Sequence, residues 1–138
     1  MTTRTLAIVK PDAVAARRVG AILALLEERG FAVRAARMTR LTQSQAEAFY
    51  AIHRERPFFG SLVRFMTEGP CVPMVLERED AVAVLREAIG ATDPAEAAPG
   101  TVRALHAGSK ERNAIHASDS DDNARREIAF FFPEADLV

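Results

Sequence analysis

Hydrophobic and polar positions change between a two-residue period and a helical period along the chain, which predicts strands interleaved with helices. An apolar run from Leu6 to Val9 predicts a buried strand, which ends at Lys10-Pro11-Asp12. Alternation from Phe31 to Leu41 predicts a second strand. Between these strands, apolar residues at the spacing of one helical face predict a helix that ends at Gly30: Val19, Ile22, Leu23 and Leu26.

Two more helices are predicted in the next part of the chain. Thr42 and Gln45 form a capping-box pattern, so a helix begins there and reaches about His53. Pro57 begins the following helix, because proline suits the first turn, and Gly69-Pro70 ends it.

A third strand is predicted from Val72 to Leu76, and Pro73 indicates that it contains a bulge or lies at a sheet edge. The helix after it ends at Gly90, and its inner face is predicted from three apolar residues at helical spacing: Val82, Leu85 and Ile89.

The last part of the chain combines a long connection with a short strand and a helix. Weak patterning from Ala91 to Asn113 predicts a loop of a length that tends to be functional. Ala114 to Ala117 is a predicted strand, and Ser120 begins a final helix that runs through Phe131. This order predicts an α+β fold of the ferredoxin-like, split βαβ type: a four-stranded antiparallel sheet with helices packed on one face and a long functional loop before the last strand.

Composition narrows the possible functions. A chain of 138 residues with 49% apolar content has the size of one domain, expected to span 1–138. The net charge of -1 argues against a general nucleic-acid-binding surface. Cys71 is the single cysteine, which excludes an intrachain disulfide and suits a reducing compartment. With no signal-like or membrane-length apolar segment in the sequence, we expect a cytoplasmic protein that has no membrane partner.

His116 is the first candidate for chemistry, because small and polar residues surround it in the run from Asn113 to Asp119. Near neutral pH an imidazole is mostly the free base, so one ring nitrogen can attack a phosphoryl group. The alternative is structural, because histidine beside serine and aspartate is also typical of a surface turn before a helix.

Candidate phosphate ligands occur at separated positions. Lys10 follows an apolar strand in an arginine-rich chain, where a compact point charge suits a phosphate. Arg86, Thr92 and Arg103 offer two guanidinium groups and a hydroxyl that could hold a polyphosphate. The alternative for each is a solvated surface residue.

Aromatic and acidic side chains complete the candidates. Phe58 and Phe59 are adjacent and cannot both face the core, so one is available to stack on a flat ligand. Tyr50 could lend a hydroxyl to the site or pack with its tip in water. Glu127 could accept the ring N–H of His116 and fix its tautomer, or lie exposed on its helix.

Taken together, these residues resemble the nucleoside diphosphate kinase family. The family signature Asn-x-x-His-Gly-Ser-Asp appears as Asn113-Ala-Ile-His116-Ala117-Ser118-Asp119. The other matching segments occur in the family order and cover the chain from about Thr5 to Phe132: Lys-Pro-Asp, Phe-Tyr ahead of Arg-Pro-Phe-Phe, Gly-Ala-Thr-Asp-Pro and Pro-Gly-Thr-Val-Arg. Five separated motifs in order are far more specific than any single one.

The resemblance implies transfer of the terminal phosphoryl group from a nucleoside triphosphate to a nucleoside diphosphate, through a phosphohistidine at His116 and with ping-pong kinetics. It also implies Mg²⁺ carried by the nucleotide phosphates with no direct protein ligand, and a homo-oligomer, either a tetramer or a hexamer. The enzyme would thereby balance the NTP and dNTP pools and accept purine and pyrimidine nucleotides. The implied roles are phosphate contacts for Lys10, Arg86, Thr92 and Arg103, sugar contacts for Asn113 and Lys10, base contacts for Phe58 and Leu62, orientation of His116 by Glu127, and a place beside His116 for Tyr50.

Two departures from the family pattern bear on activity. Ala117 replaces the usual glycine after the histidine, which narrows the freedom of the backbone and could reduce activity. The segment from Ala104 to Arg112 also differs from commoner versions, and we interpret His106 within it as an incidental loop residue.

Two rival functions stay open at this point. One is a catalytically silent nucleotide-binding relative, against which His116 and Glu127 both count. The other is a ferredoxin-like nucleic-acid-binding domain, which would need exposed aromatic side chains on its strands and a basic surface.

Overall fold

A computed structural model describes residues 1–138 and contains one four-stranded sheet. The strands are β1 (Thr2–Val9), β2 (Ala32–Ala36), β3 (Val72–Glu79) and β4 (Ile115–Ala117). The helices are α1 (Pro11–Ala15), α2 (Val19–Glu28), α3 (Gln43–Phe49), α4 (Phe59–Thr67), α5 (Ala81–Ile89), α6 (Val102–His106) and α7 (Asp121–Phe131). Short 3-10 turns lie at Ala51–His53, Pro94–Glu96 and Glu134–Asp136.

The sheet order β2-β3-β1-β4, with every pairing antiparallel, confirms the predicted ferredoxin-like α+β sheet. Strand β1 pairs along its whole length with β3, so that Val9 lies opposite Val72. On its other side β1 pairs with β4, where Ile8 lies opposite His116. The end of β1, and therefore Lys10, is brought beside the strand that carries the histidine.

Both faces of the sheet are covered by helices. Leu6 and Ile8 pack in a core with residues of α3, α4 and α7, whereas Ala7 and Val9 pack in a second core with residues of α2 and α5. The expectation of helices on one face is therefore wrong. Neither sheet face is open in the way that the nucleic-acid-binding alternative requires.

The capping signals read from the sequence are present. The Thr42 hydroxyl accepts from the Gln45 backbone N–H at 3.1 Å, and the Gln45 side chain accepts from the Thr42 N–H at 2.9 Å. Ser120 caps α7 through the Asn123 N–H at 3.1 Å. Helix α3 ends at Phe49, and the chain continues to His53 as a 3-10 turn.

Pro73 lies in β3, which is an inner strand and not an edge. Its carbonyl accepts from the Arg37 N–H at 3.2 Å, but proline has no N–H to return the second bond of an antiparallel pair. Strand β2 ends at Ala36, beside this missing donor, so it is shorter than the alternation predicted. The bulge lies in β2, between Val33 and Ala35.

The segment from Ala91 to Asn113 is more ordered than the predicted loop. It contains the turn Pro94–Glu96 and helix α6, which begins where the Thr101 hydroxyl accepts from the Ala104 N–H at 3.3 Å. Five helical residues are too few to show a clear hydrophobic period, which is why the pattern gave no helix there.

Gly90→Ala is expected to lower the free energy of unfolding by about 2 kcal/mol or more. Gly90 has φ +88 and ψ 178, a conformation open essentially to glycine alone, and a Cβ there would lie 2.5 Å from the Thr101 Oγ1. Urea unfolding measures the change. Gly20→Ala in α2 is the matched control, because its Cβ meets nothing within 4 Å, and it should gain up to about 1 kcal/mol. Equal stability of Gly90→Ala and the unchanged protein would contradict the strain argument.

Candidate active site

A cavity of about 480 Å³ lies where the end of β1, strand β4 and helices α4, α5 and α7 come together. All ten residues predicted for the site line this cavity: Lys10, Tyr50, Phe58, Leu62, Arg86, Thr92, Arg103, Asn113, His116 and Glu127. The chain thus brings together side chains that are far apart in sequence.

His116 is the middle residue of β4, and its side chain is 19% exposed. Its Nε2 lies 2.7 Å from Oε1 of Glu127, which is on α7. The Ser118 hydroxyl donates to the same carboxylate oxygen, also at 2.7 Å. Because an ionised carboxylate only accepts hydrogen bonds, Nε2 carries the proton. The lone pair of the neutral ring is therefore on Nδ1.

The surroundings favour neutral imidazole and ionised carboxylate. Burial lowers the pKa of His116, and the charges of Lys10 and Arg103 lower it too, while the contact with Glu127 opposes them without reversing the direction. Burial acts to raise the pKa of Glu127, but the hydrogen bonds from His116 and Ser118 outweigh it and hold this pKa below its usual value. The ring is thus available as a free base at neutral pH.

Three cations stand next to the histidine without carboxylate partners. No ion pair of the chain involves Lys10, Arg86 or Arg103. Burial, followed by the charge of Arg103, lowers the pKa of Lys10 to about 8, and burial, followed by the charge of Arg86, lowers that of Arg103 to about 10. The charges of Asp12 and Glu111 act to raise the pKa of Lys10 but do not reverse its direction. Partly desolvated positive charge without a direct ion-pair partner suits an anionic ligand.

Polar groups of the backbone and an amide hold these cations in place. Arg103 donates to the Ile115 carbonyl at 2.8 Å and to the Gly90 carbonyl at 3.1 Å, and Arg86 donates to the Ala117 carbonyl at 3.2 Å. Lys10 donates to the Asn113 side-chain oxygen at 2.8 Å. These neutral acceptors fix the positions of the three cations without cancelling their positive charge.

A tight turn delivers Asn113 to Lys10 and begins β4. Ala114 has φ +73, and the Ile115 N–H donates to the Asn113 carbonyl at 2.8 Å, which defines a γ-turn. The carboxylate of Asp12 accepts from the Ala114 N–H at 3.1 Å, and the Ala114 carbonyl accepts from the Lys10 N–H at 2.8 Å. Residues just after β1 thus hold the turn in a conformation that costs a non-glycine residue about 1–3 kcal/mol.

The other predicted residues lie around the rim and floor. Thr92 is exposed, and its carbonyl accepts from the Asn113 amide at 3.3 Å. Tyr50 is buried with its ring 6.0 Å from that of His116, and its hydroxyl has no hydrogen-bond partner. Burial raises the pKa of this hydroxyl, so it stays neutral. Phe58 is 45% exposed at the start of α4, one turn before the buried Leu62.

Several lining residues were not singled out from the sequence. Asn123 and Arg126 precede Glu127 by four residues and one residue on α7, and the helical spacing of Asn123 is a signal that could have found it. The signal for the others is weaker, because their positions depend on packing between elements: Phe49, Ile52, His53, Lys110, Glu111 and Asp119. His106 lies outside the cavity, at the end of α6.

Ala117, which replaces the glycine that usually follows the histidine, causes no backbone strain. Ala117 lies in β4 opposite Ala7 and is not among the residues with positive φ. The strand conformation found there is open to any residue, so the methyl group does not disturb the position of His116 through the backbone.

A neutral histidine next to fixed positive charge has the arrangement that phosphoryl transfer requires. Comparisons with known proteins agree with this class. The family model for nucleoside diphosphate kinase matches residues 3–137. A nucleoside diphosphate kinase of Chlorobaculum parvum is 57% identical over 98% of this chain and 96% of its own.

Solved structures give the same result. A nucleoside diphosphate kinase of Aquifex aeolicus is 48% identical, with a TM-score of 0.98 over 100% of both chains. A halophilic one from Halobacterium salinarum, in complex with CDP, is 40% identical, with a TM-score of 0.95 over 100% of this chain and 92% of its own. The chain belongs to the nucleoside diphosphate kinase family and is a phosphotransferase that acts on nucleotides. None of its helices has the length and apolar character needed to span a membrane.

Glu127→Gln is expected to lower the pKa of His116 further, because the carboxylate charge and its hydrogen bond are the two contributions that raise it. Activity should fall at least about a hundredfold, since the amide can donate to Nε2 and leave the proton on Nδ1, the nitrogen that must attack. NMR titration of the ring measures the pKa, and a coupled assay measures the rate. Asp122→Asn, at the exposed first turn of α7, is the control and should change neither. An unchanged or higher pKa in Glu127→Gln would refute the arrangement.

Proposed function

We propose that this chain transfers the terminal phosphoryl group of a nucleoside triphosphate to a nucleoside diphosphate through a phosphohistidine at His116, by a ping-pong mechanism. The observation that carries the proposal is the 2.7 Å contact of His116 Nε2 with Glu127, which leaves Nδ1 as the nucleophilic nitrogen. A nucleotide-binding relative without catalysis would have no need for this orientation.

In the first half-reaction, the Nδ1 lone pair attacks the terminal phosphorus. A P–N bond forms, the bond from phosphorus to the bridging oxygen breaks, and the nucleoside diphosphate leaves with that electron pair. In the second half-reaction, a terminal oxygen of another diphosphate attacks the same phosphorus, and His116 leaves as the neutral ring. Glu127 holds the Nε2 proton throughout and stabilises the positive charge that develops on the ring.

The cations stabilise charge on the group in transit. Lys10, Arg86 and Arg103 contact the phosphates together with the Thr92 hydroxyl, and Asn113 with Lys10 contacts the sugar hydroxyls. Their support is the placement of all five around one cavity, without carboxylate partners for the three cations. Fixed charge that needs no rearrangement contributes most to catalysis of this kind.

Phe58 and Leu62 contact the base, and Tyr50 packs beside the histidine. A phenylalanine face stacks on any base without reading its hydrogen-bond pattern. We therefore propose that purine and pyrimidine nucleotides are all accepted, and that the reaction balances NTP and dNTP pools.

The divalent metal ion that enzymes of this family use is, in our proposal, Mg²⁺ bound to the nucleotide phosphates. No three histidine, cysteine, aspartate or glutamate side chains come together as a metal site, and Glu127 is already occupied by His116 and Ser118. This donor set fits an ion that arrives with the substrate. When bound, Mg²⁺ neutralises phosphate charge and leaves the protein's cations to orient the group.

Assembly, location and domain organisation complete the proposal. We propose a homo-oligomer, either a tetramer or a hexamer, located in the cytoplasm, where the single buried thiol of Cys71 stays reduced. Residues 1–138 act as one domain, because β1 and β4, which pair beside the site, are far apart in the sequence.

The decisive experiment is incubation with a nucleoside triphosphate that is labelled at its terminal phosphate. We expect label that survives base but not acid, at up to one group per chain, and transfer of this label to any added nucleoside diphosphate. His116→Ala should take up none, because no other nitrogen lies in the same arrangement. His106→Ala is the matched control and should be labelled normally, since that histidine lies outside the cavity. Equal labelling of His116→Ala, or no label on the unchanged protein, would sink the proposal.

Phe58→Ala should raise KM about tenfold for purine and pyrimidine diphosphates alike, with kcat little changed, because stacking holds the base and not the reacting phosphate. Steady-state kinetics with ADP and CDP measure both constants. Leu105→Ala removes another exposed apolar side chain, which lies on α6 outside the cavity, and should leave both constants unchanged. A large loss of kcat at saturating substrate would contradict the assignment.

A further inference from the structure

The cavity wall formed by the chain just before Asn113 is tied to helix α4 at two points. Ser61 donates its hydroxyl hydrogen bond to Oε2 of Glu111 at 2.6 Å. Arg112 forms a two-bond ion pair with Glu68, at 2.8 Å and 2.9 Å. Phe58 is the residue directly before helix α4, so this wall has a fixed position relative to the stacking ring.

Glu111 adds a carboxylate to a cavity in which three cations favour anions. The other two carboxylates that line the cavity accept hydrogen bonds from protein groups: Asp119 from Asn123, and Glu127 from His116 and Ser118. The Glu111 side chain also lines the cavity, but only its Oε2 is held, by Ser61, and no protein group donates to Oε1. Negative charge near bound phosphates is unfavourable unless a ligand donor meets it. The phosphoryl transfer proposed above gives this carboxylate no role.

Glu111 is anchored on the part of α4 next to the residues proposed to contact the base, and its charge also acts on Lys10. Its anchor Ser61 is one helical turn after Phe58 and directly before Leu62, the two residues proposed to contact the base. Arg86 and Arg103 are held instead by carbonyls of β4 and of the residue after α5, and Lys10 is held by the Asn113 side chain. A base that stacks on Phe58 would therefore lie close to the segment of α4 that anchors the Glu111 carboxylate.

We propose that Glu111 is a specificity-determining residue, whose free carboxylate oxygen accepts a hydrogen bond from the exocyclic amino group of the base. This inference rests on the proposed function for the identity of the ligand. Ser61 fixes the carboxylate before the nucleotide arrives, so no side-chain freedom is lost on binding.

A carboxylate accepts but cannot donate, so it distinguishes an amino group from a carbonyl at the same position of the ring. Cytosine differs from uracil in this way at one position, and adenine differs from hypoxanthine in the same way. We expect cytidine diphosphate to bind about fivefold more tightly than uridine diphosphate, and adenosine diphosphate about fivefold more tightly than inosine diphosphate. All four still bind, because stacking on Phe58 is common to them.

The test is isothermal titration of the full chain with each of these four diphosphates. Glu111→Ala should bring both ratios of dissociation constants to about one, by weakening the cytidine and adenosine ligands. Glu111→Gln should also bring them toward one, but by strengthening uridine and inosine binding, because the amide can donate to a carbonyl. Glu68→Gln is the matched control: it removes the other carboxylate that ties this wall to α4, outside the cavity, and should keep both ratios.

Ratios of one in the unchanged protein, or fivefold ratios that persist in Glu111→Ala, overturn the assignment. Equal weakening of all four ligands in Glu111→Gln also overturns it, because that result indicates a structural role only. Binding needs no phosphoryl transfer, so these outcomes are independent of the labelling of His116. If the chain discriminates between the bases but takes up no label, the proposal for Glu111 stands and the proposal of phosphoryl transfer fails.

Discussion

The hydrogen bond between Nε2 of His116 and the carboxylate of Glu127 is the contact on which the chemistry of this chain depends. It joins the short edge strand β4 to the last helix, and it leaves a single ring nitrogen free to react. Ser118 strengthens the arrangement by donating to the same oxygen. Burial keeps the ring neutral, while the carboxylate is ready to stabilise the positive charge that develops during transfer. This contact therefore decides the orientation and the tautomer of the ring, and burial decides its protonation state.

The fold supplies what this contact cannot, namely rigid positive charge. Lys10, Arg86 and Arg103 repel one another, and the protein offers them carbonyls and an amide in place of carboxylates. Repulsion within this cluster lowers the stability of the protein without a bound nucleotide, and packing elsewhere in the fold offsets it. Strand β1 has its four apolar residues fully buried between two cores, directly before Lys10. A run of fully buried residues thus leads directly into the cluster of like charges.

Much of this structure could be read from the sequence, and the failures have physical causes. The apolar run in β1, the capping box at Thr42 and the stop at Gly90 are local signals, and they gave the elements correctly. The covering of both sheet faces was missed, although an uninterrupted apolar strand is typical of a sheet buried on both sides. The ten site residues were gathered through their match to family motifs. The role of Glu111 could not be read in this way, because it depends on a contact with Ser61 that only the folded chain creates.

The order of the sheet has a consequence for how the protein is made. Strand β1 leaves the ribosome well before its two neighbours in the sheet, β3 and β4. The apolar part of β1 therefore has no pairing partner during much of synthesis. Long-range pairing of this kind is slow and vulnerable to aggregation. The nucleophile and its carboxylate emerge last, so a nascent or truncated chain has no working centre. Activity begins only when the two ends of the polypeptide have met.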